Sequence, residues 1–304
     1  MKTLVKYCLV FFSFILFSCE DIITIKTPDA HPYVVLEGAI TTDSGEQFIR
    51  LNQSQNYFDM SKPTPITGAT VILKDNLNNE YFFTEDSIGK YTWNSVDPDS
   101  SIAIVGRTYT LNVKWNEEEF VAESKVNRVP KIDSIAYKFV QADLGQSGDN
   151  KPKEGYEAQF FAKDFDGEGD CYRIKAYKNG KMFNESSNII VTYDANFQKG
   201  PQGDGLVIIL PLRKSISPEL YLANDSVKVE LLSITENEFN FWSQALLEIN
   251  NAGLFARPTA NIPSNFINKN PKSVWQGAGW FSTSAISRLS TVIDPNKANP
   301  NLVN

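Results

Sequence analysis

The stretch with the most evident chemistry is Asp164-Phe165-Asp166-Gly167-Glu168-Gly169-Asp170, where acids alternate with glycines. Such a run can wrap oxygens around a hard cation, and Asp164, Asp166 and Asp170 are its calcium candidates. An EF-hand loop takes oxygen ligands at its first, third and fifth positions, Gly at the sixth and Glu at the twelfth. Counting from Asp164, Glu168 is fifth and Gly169 sixth, but the twelfth residue is Lys175, which cannot supply the closing carboxylate. The competing reading is a β-turn between strands, its glycines at positive φ. Without the closing carboxylate no metal is assigned, and no cofactor is expected.

His31 is the single histidine, so any Ser-His-Asp or Cys-His arrangement would have to use it. It lies in Asp29-Ala30-His31-Pro32, ahead of the first strand pattern, a poor place for a rigid site. The chain has no zinc-type Cys pairs, Gly-x-Ser-x-Gly elbow or P-loop. Its 36 acids leave carboxylate pairs open in principle, but the overall reading is non-enzymatic. Two aromatic groups are candidate contact patches. Tyr57 and Phe58 fall in the loop Gln55–Met60, and Trp275 and Trp280 lie in a tail rich in Asn, Pro, Ser and Gly. Each has an alternative in which the rings fold onto the body as packing.

The amino terminus carries Lys2 and Lys6, an apolar run from Cys8 to Phe17, and then Ser18-Cys19. A spanning helix needs about 20 apolar residues, and this run has about half that. It reads as a bacterial lipoprotein signal, residues 1–18, cut before Cys19, whose thiol and new amino group take the acyl chains. Two or more chains at about 0.8 kcal/mol per buried methylene anchor stably where one does not. Glu20 and Asp21 follow at the start of a tether, residues 19–31. Acidic residues just after the cysteine resemble the surface-export tag of Bacteroidota lipoproteins, and that resemblance implies the outer membrane and its cell-surface face.

Removing Lys2 and Lys6 from the 29 basic side chains leaves 27 against 36 acidic ones, a net charge of −9. That balance argues against nucleic acid and against adhesion to anionic lipid through charge. Of the three cysteines only Cys19 and Cys171 survive processing, and Cys19 is acylated. The core must therefore hold without an intramolecular disulfide. Cys171, in an alternating strand, reads as a small buried hydrophobe.

Short runs rich in Val, Ile, Tyr, Phe and Thr recur between Gly, Pro, Asn and Asp clusters, which predicts an all-β fold with two Ig-like or prealbumin-like sandwiches. The first sandwich, residues 32–129, has strands near 33–37, 47–52, 69–74, 80–84, 108–115 and 119–124. The second, residues 130–234, has them near 135–140, 156–162, 171–178, 188–193, 206–212 and 226–233. Thr235-x-x-Glu238 then forms a capping box, with Phe239, Trp242, Leu246 and Ile249 at helical spacing and Gly253 at the end. One amphipathic helix of about 16 residues follows from that spacing. Residues from 255 on read as an irregular tail on the second sandwich, frayed over its last ten residues.

Several segments in order resemble one family. They are Val35-Leu36-Glu37-Gly38, Ile49-Arg50-Leu51, Tyr57-Phe58-Asp59, Pro65 to Val71, Gly89-Lys90-Tyr91, Gly106-Arg107-Thr108-Tyr109, Pro130 to Ile135, and Gly277-Ala278-Gly279-Trp280-Phe281. Together they are similar to the Bacteroidota lipoproteins grouped as DUF4249, over nearly the whole mature chain. The first domain also resembles the carboxypeptidase-regulatory-like sandwich. The resemblance implies an outer-membrane lipoprotein encoded beside a TonB-dependent receptor of the starch-utilisation type, and it carries no catalytic residues. Trp280 stands where that family usually has Tyr. The resulting expectation is a non-enzymatic accessory subunit of a TonB-dependent transporter or related envelope complex. Direct capture of a glycan or peptide is the alternative.

Overall fold

The computed structural model describes residues 31–304 except 57, 58, 60, 96, 98, 142–150, 252–255, 259 and 304. The signal, Cys19, Tyr57, Phe58 and Gly253 thus lie outside the described residues.

The fold is mainly β, as the alternating runs predict. The first half supplies β1 (Tyr33–Thr41), β2 (Gln47–Gln53), β3 (Thr70–Asp75), β4 (Glu80–Ser87), β5 (Lys90–Trp93), β6 (Thr108–Trp115) and β7 (Glu118–Lys125). The second half supplies β8 (Ile132–Gln141), β9 (Glu154–Ala162), β10 (Cys171–Lys178), β11 (Lys181–Met182), β12 (Ile190–Tyr193) and β13 (Ser226–Ile234). The last three strands are β14 (Ile267–Asn268), β15 (Gln276–Ser284) and β16 (Ile286–Val292). Two α-helices, α1 (Leu210–Lys214) and α2 (Glu236–Ile249), and two short 3₁₀ turns, Ser186–Asn188 and Pro295–Lys297, complete the described elements.

The first sheet runs β14-β7-β6-β3-β4-β5-β2-β1-β15. Its strands keep period 2: on β1, Val34, Leu36 and Ile40 point inward, while Glu37 is exposed. The inward set packs with Leu51, Tyr91, Tyr109 and Phe120 into the first core. Burial of each such side chain contributes about 1.5–3 kcal/mol. The sheet bends round until β15 meets β7. Thr283 donates from its backbone N–H and its hydroxyl to Ser124 Oγ, both at 3.0 Å. Asn265 bridges the same seam, donating to the carbonyls of Glu123 and Phe281 and accepting from Phe281 N–H.

The second sheet runs β11-β10-β13-β16, with β12 also paired to β10. Tyr172, Ile174, Val229 and Leu231 line one face of it and meet Ala158 and Phe160 of the β8–β9 hairpin and Leu212 of α1 in a second core. A small third core, Cys171, Val191, Tyr193, Ile234 and Phe239, lies under α2. Cys171 is 1% exposed, the buried hydrophobe its pattern predicts. Residues 31–55 and 61–304 form one compact unit.

Three local expectations give way. The tail is not irregular. β15 pairs in parallel with β1, from Tyr33↔Gln276 to Thr41↔Ser284, and β16 joins β13, so the tail serves both sheets rather than the second alone. Its Gly-rich start is dictated by contact. A Cβ on Gly277 would lie 1.9 Å from the carbonyl oxygen of Phe266. One on Gly279, whose φ is +87°, would lie 2.1 Å from that of Leu36. The chain end is also held. Asn299 N–H donates to the Tyr137 carbonyl, Lys138 Nζ to that of Leu302 at 2.9 Å, and Gln159 Nε2 to that of Val303 at 2.7 Å. Finally, Leu206–Leu212 is not a strand. Val207 makes an isolated bridge to Lys163, and Pro211 then opens α1, where a missing N–H costs nothing.

Candidate functional site

α2 begins where its cap predicts. The Thr235 hydroxyl accepts from Glu238 N–H at 3.1 Å, and Glu236 and Glu238 place negative charge in the first turn. The helix has 14 residues, and Asn250 caps its far end with its N–H on the Leu246 and Glu248 carbonyls. The reciprocal half of the capping box is missing because the Glu238 carboxyl is used elsewhere. It accepts from Ser282 Oγ of β15 at 2.6 Å and from Trp242 Nε1 at 3.2 Å.

Glu238 is 2% exposed, and burial pushes its carboxyl up, against the pull of those two donors and of Arg173 and Lys175. Arg173 of β10 lays its guanidinium 4.0 Å from the Trp242 ring centroid. Burial pushes both Arg173 and Lys175 down. One helix is thus fastened to both sheets, to β15 through Ser282 and to β10 through Arg173.

The remaining face of α2 carries Asn237, Asn240, Phe241 and Gln244, at i, i+3, i+4 and i+7. These residues, with Asn265 and Trp280, line a cleft of about 370 Å³. The Trp280 and Phe241 rings lie 4.9 Å apart, tilted by 31°. Trp280 Nε1 is buried and has no acceptor. A neighbouring hollow of about 230 Å³ shares Gln244 and is lined by Leu247, Glu248, Arg257 and Ile262.

The other sequence candidates fall elsewhere. Trp275 packs edge-on against Trp115, centroids 5.0 Å apart, on the margin of the first core, and does not line the cleft with Trp280. Tyr57 and Phe58, like Cys19, lie outside the described residues.

The acidic stretch 164–170 is built as a turn. Gly167 and Gly169 both have φ +110°. Asp194 Oδ1 accepts from the N–H groups of Gly169 and Asp170, each at 2.9 Å, and Asp204 Oδ1 accepts from Gly167 N–H at 2.7 Å. Asp170 is gripped by Arg128 at 2.6 Å, and the same Arg128 covers the Phe165 ring and donates to the Asp166 carbonyl. Tyr172 donates to Asp164 Oδ1 at 2.5 Å. Burial lifts the Asp164 carboxyl to about 6, opposed by that hydrogen bond and reinforced by Asp194. Asp164 Oδ1 and Asp170 are engaged by protein donors, while Asp164 Oδ2 and Asp194 Oδ2 are buried without a partner among the described residues. Among the described residues no group of three His, Cys, Asp or Glu side chains is arranged to hold a metal ion.

Burial pushes the Cys171 thiol up to about 12, so it stays protonated and unreactive. Arg128 and Arg173 had no signal in the sequence as site-forming residues, since their partners lie tens of residues away. Glu238 was marked for its cap and Trp242 for its helical spacing, neither for the contact they make.

No curated protein matches the chain. The family model described as a domain of unknown function, DUF4249, matches residues 20–290. With that span covering nearly all of it, the chain belongs to the DUF4249 family.

Proposed function

We propose that this protein is a non-enzymatic lipoprotein of the outer-membrane surface in a Bacteroidota envelope, held by acyl chains on Cys19. It acts as an accessory subunit of a TonB-dependent transporter or a related envelope complex. Its first sandwich is of the carboxypeptidase-regulatory-like kind. Family membership and the lipoprotein signal support this reading.

The observation that carries it is that three large apolar side chains stay exposed at separate points of the β3–β4–β5 stretch, Leu77 in one turn, Phe82 on β4 and Ile88 in the next turn. Leu77, Phe82 and Ile88 are 61%, 60% and 76% exposed on the first sheet. The anchor favours a stand-off role as well. β1 starts two residues after the tether and is paired on both sides, to β2 and to β15. The test is a mild-detergent pull-down of the tagged lipoprotein from its own outer membrane, with mass spectrometry of what co-purifies. A receptor in stoichiometric amount supports the reading, and a lipoprotein recovered alone counts against it.

A second reading, direct capture of a glycan or peptide, is favoured by one observation, the open cleft between α2 and Trp280.

A further inference from the structure

We infer that the cleft between α2 and Trp280 is a subsite for a neutral saccharide. This rests on the capture reading and is independent of the transporter reading.

The lining has three properties that converge on that ligand class. First, among the described residues its lining carries no charged side chain. Its polar groups are the amides of Asn237, Asn240, Gln244 and Asn265 and the Ser264 hydroxyl, which is spent on the Gly279 carbonyl. An amide offers a donor and an acceptor at fixed geometry, which matches a hydroxyl that both donates and accepts. Asn265 is spent on the β7–β15 seam, whereas Asn237, Asn240 and Gln244 make no hydrogen bond with the described residues. They stand at helical spacing on one face of α2, so a single ring can meet two of them. Second, Trp280 and Phe241 line the same space as adjacent aromatic rings. An aromatic face is electron-rich and attracts the C–H groups of a pyranose face. Third, Trp280 Nε1–H, closed off from solvent in the cleft, has no acceptor among the described residues, so a saccharide oxygen would pair with it once the indole turns toward the cleft. The volume, about 370 Å³, lies at the small end of the range of about 300–1,000 Å³ typical of small-molecule sites. It suits one or two sugar rings.

A peptide is the less favoured occupant. Peptide clefts commonly use a free sheet edge or a charge to fix the chain. This cleft lies on a helix face, and its lining is uncharged.

The test is isothermal titration calorimetry of the full mature protein with maltotriose, cellotriose, laminaritriose, mannotriose and xylotriose, and with N-acetyl-trialanine amide. It is run alongside Asn240→Ala and Gln244→Ala. Both side chains are exposed, so both variants are expected to fold, which their melting temperatures check. The expected result is millimolar or tighter binding of at least one trisaccharide, weakened about fivefold in each variant, the usual worth of one hydrogen bond. Binding that neither variant weakens would overturn the placement. Binding of the peptide alone, weakened by the variants, would overturn the saccharide but keep the capture reading. No binding by either class at millimolar concentration would remove both.

Discussion

At the scale of single residues, the protein keeps several ionisable groups in places that work against their charge. Asp164 is the clearest. A carboxyl whose value in the native state lies near 6, against about 3.8 unfolded, binds more protons folded than unfolded between those values. Its contribution to stability therefore declines as pH rises from about 4 to about 6. Asp164→Asn should lift that decline while keeping an acceptor for Tyr172. In urea unfolding at pH 4, 5, 6 and 7, the variant should gain on the wild type with each step upward. A difference that stays constant with pH would contradict the assignment. Gly279 is the second residue whose identity is fixed by space. Gly279→Ala combines an unfavourable φ with a Cβ against the Leu36 carbonyl and should cost about 3 kcal/mol or more. Chemical denaturation measures it, and a loss below about 1 kcal/mol would show that β1 and β15 can separate cheaply.

At the scale of elements, the organising contact joins the ends of the chain. β15 pairs with β1 along nine residues, so the first strand after the tether waits for one synthesised nearly last. Long-range pairing of this kind slows folding. Deleting residues 264–304 should leave β1 unpaired on one side and β13 without β16. The truncated chain should show no cooperative thermal transition by circular dichroism, and a sharp transition would mean that the first sheet closes without its last strands. This is also where the sequence was hardest to read. The period-2 runs of β1, β6 and β10, and the Thr235 cap with its helical spacing, were legible because local pattern decides them. β15 was not, because Gly279 serves a close approach to Leu36 on a strand some 240 positions earlier and Gly277 to the Phe266 carbonyl, and glycine in isolation reads as loop. Leu206–Leu212 misled for another reason. A short apolar run does not distinguish strand from helix, and here Pro211 decided it. The cleft was half legible. Trp280 stood out as a lone aromatic, while Asn237, Asn240 and Gln244 looked like any solvent face of a helix until the tail lay beside them.

At the scale of the whole molecule, the proposal is of a lipid-anchored β-protein with a sheet surface for a partner and a small cleft for a ligand. Anchoring is tested by metabolic labelling with a clickable palmitate. Label should enter the wild type and be lost in Cys19→Ser, which should leave the outer-membrane fraction. Retention of Cys19→Ser in that fraction would mean that something other than acyl chains holds it. The most direct test of the central claim compares the mild-detergent pull-down of wild type with that of a Phe82→Asp, Ile88→Asp variant, two exposed positions whose change should leave the core intact. The account predicts that a TonB-dependent receptor co-purifies with the wild type and is largely lost from the folded variant. A wild-type protein that comes out of its own membrane without a receptor, or a variant that retains the receptor in full, would contradict it.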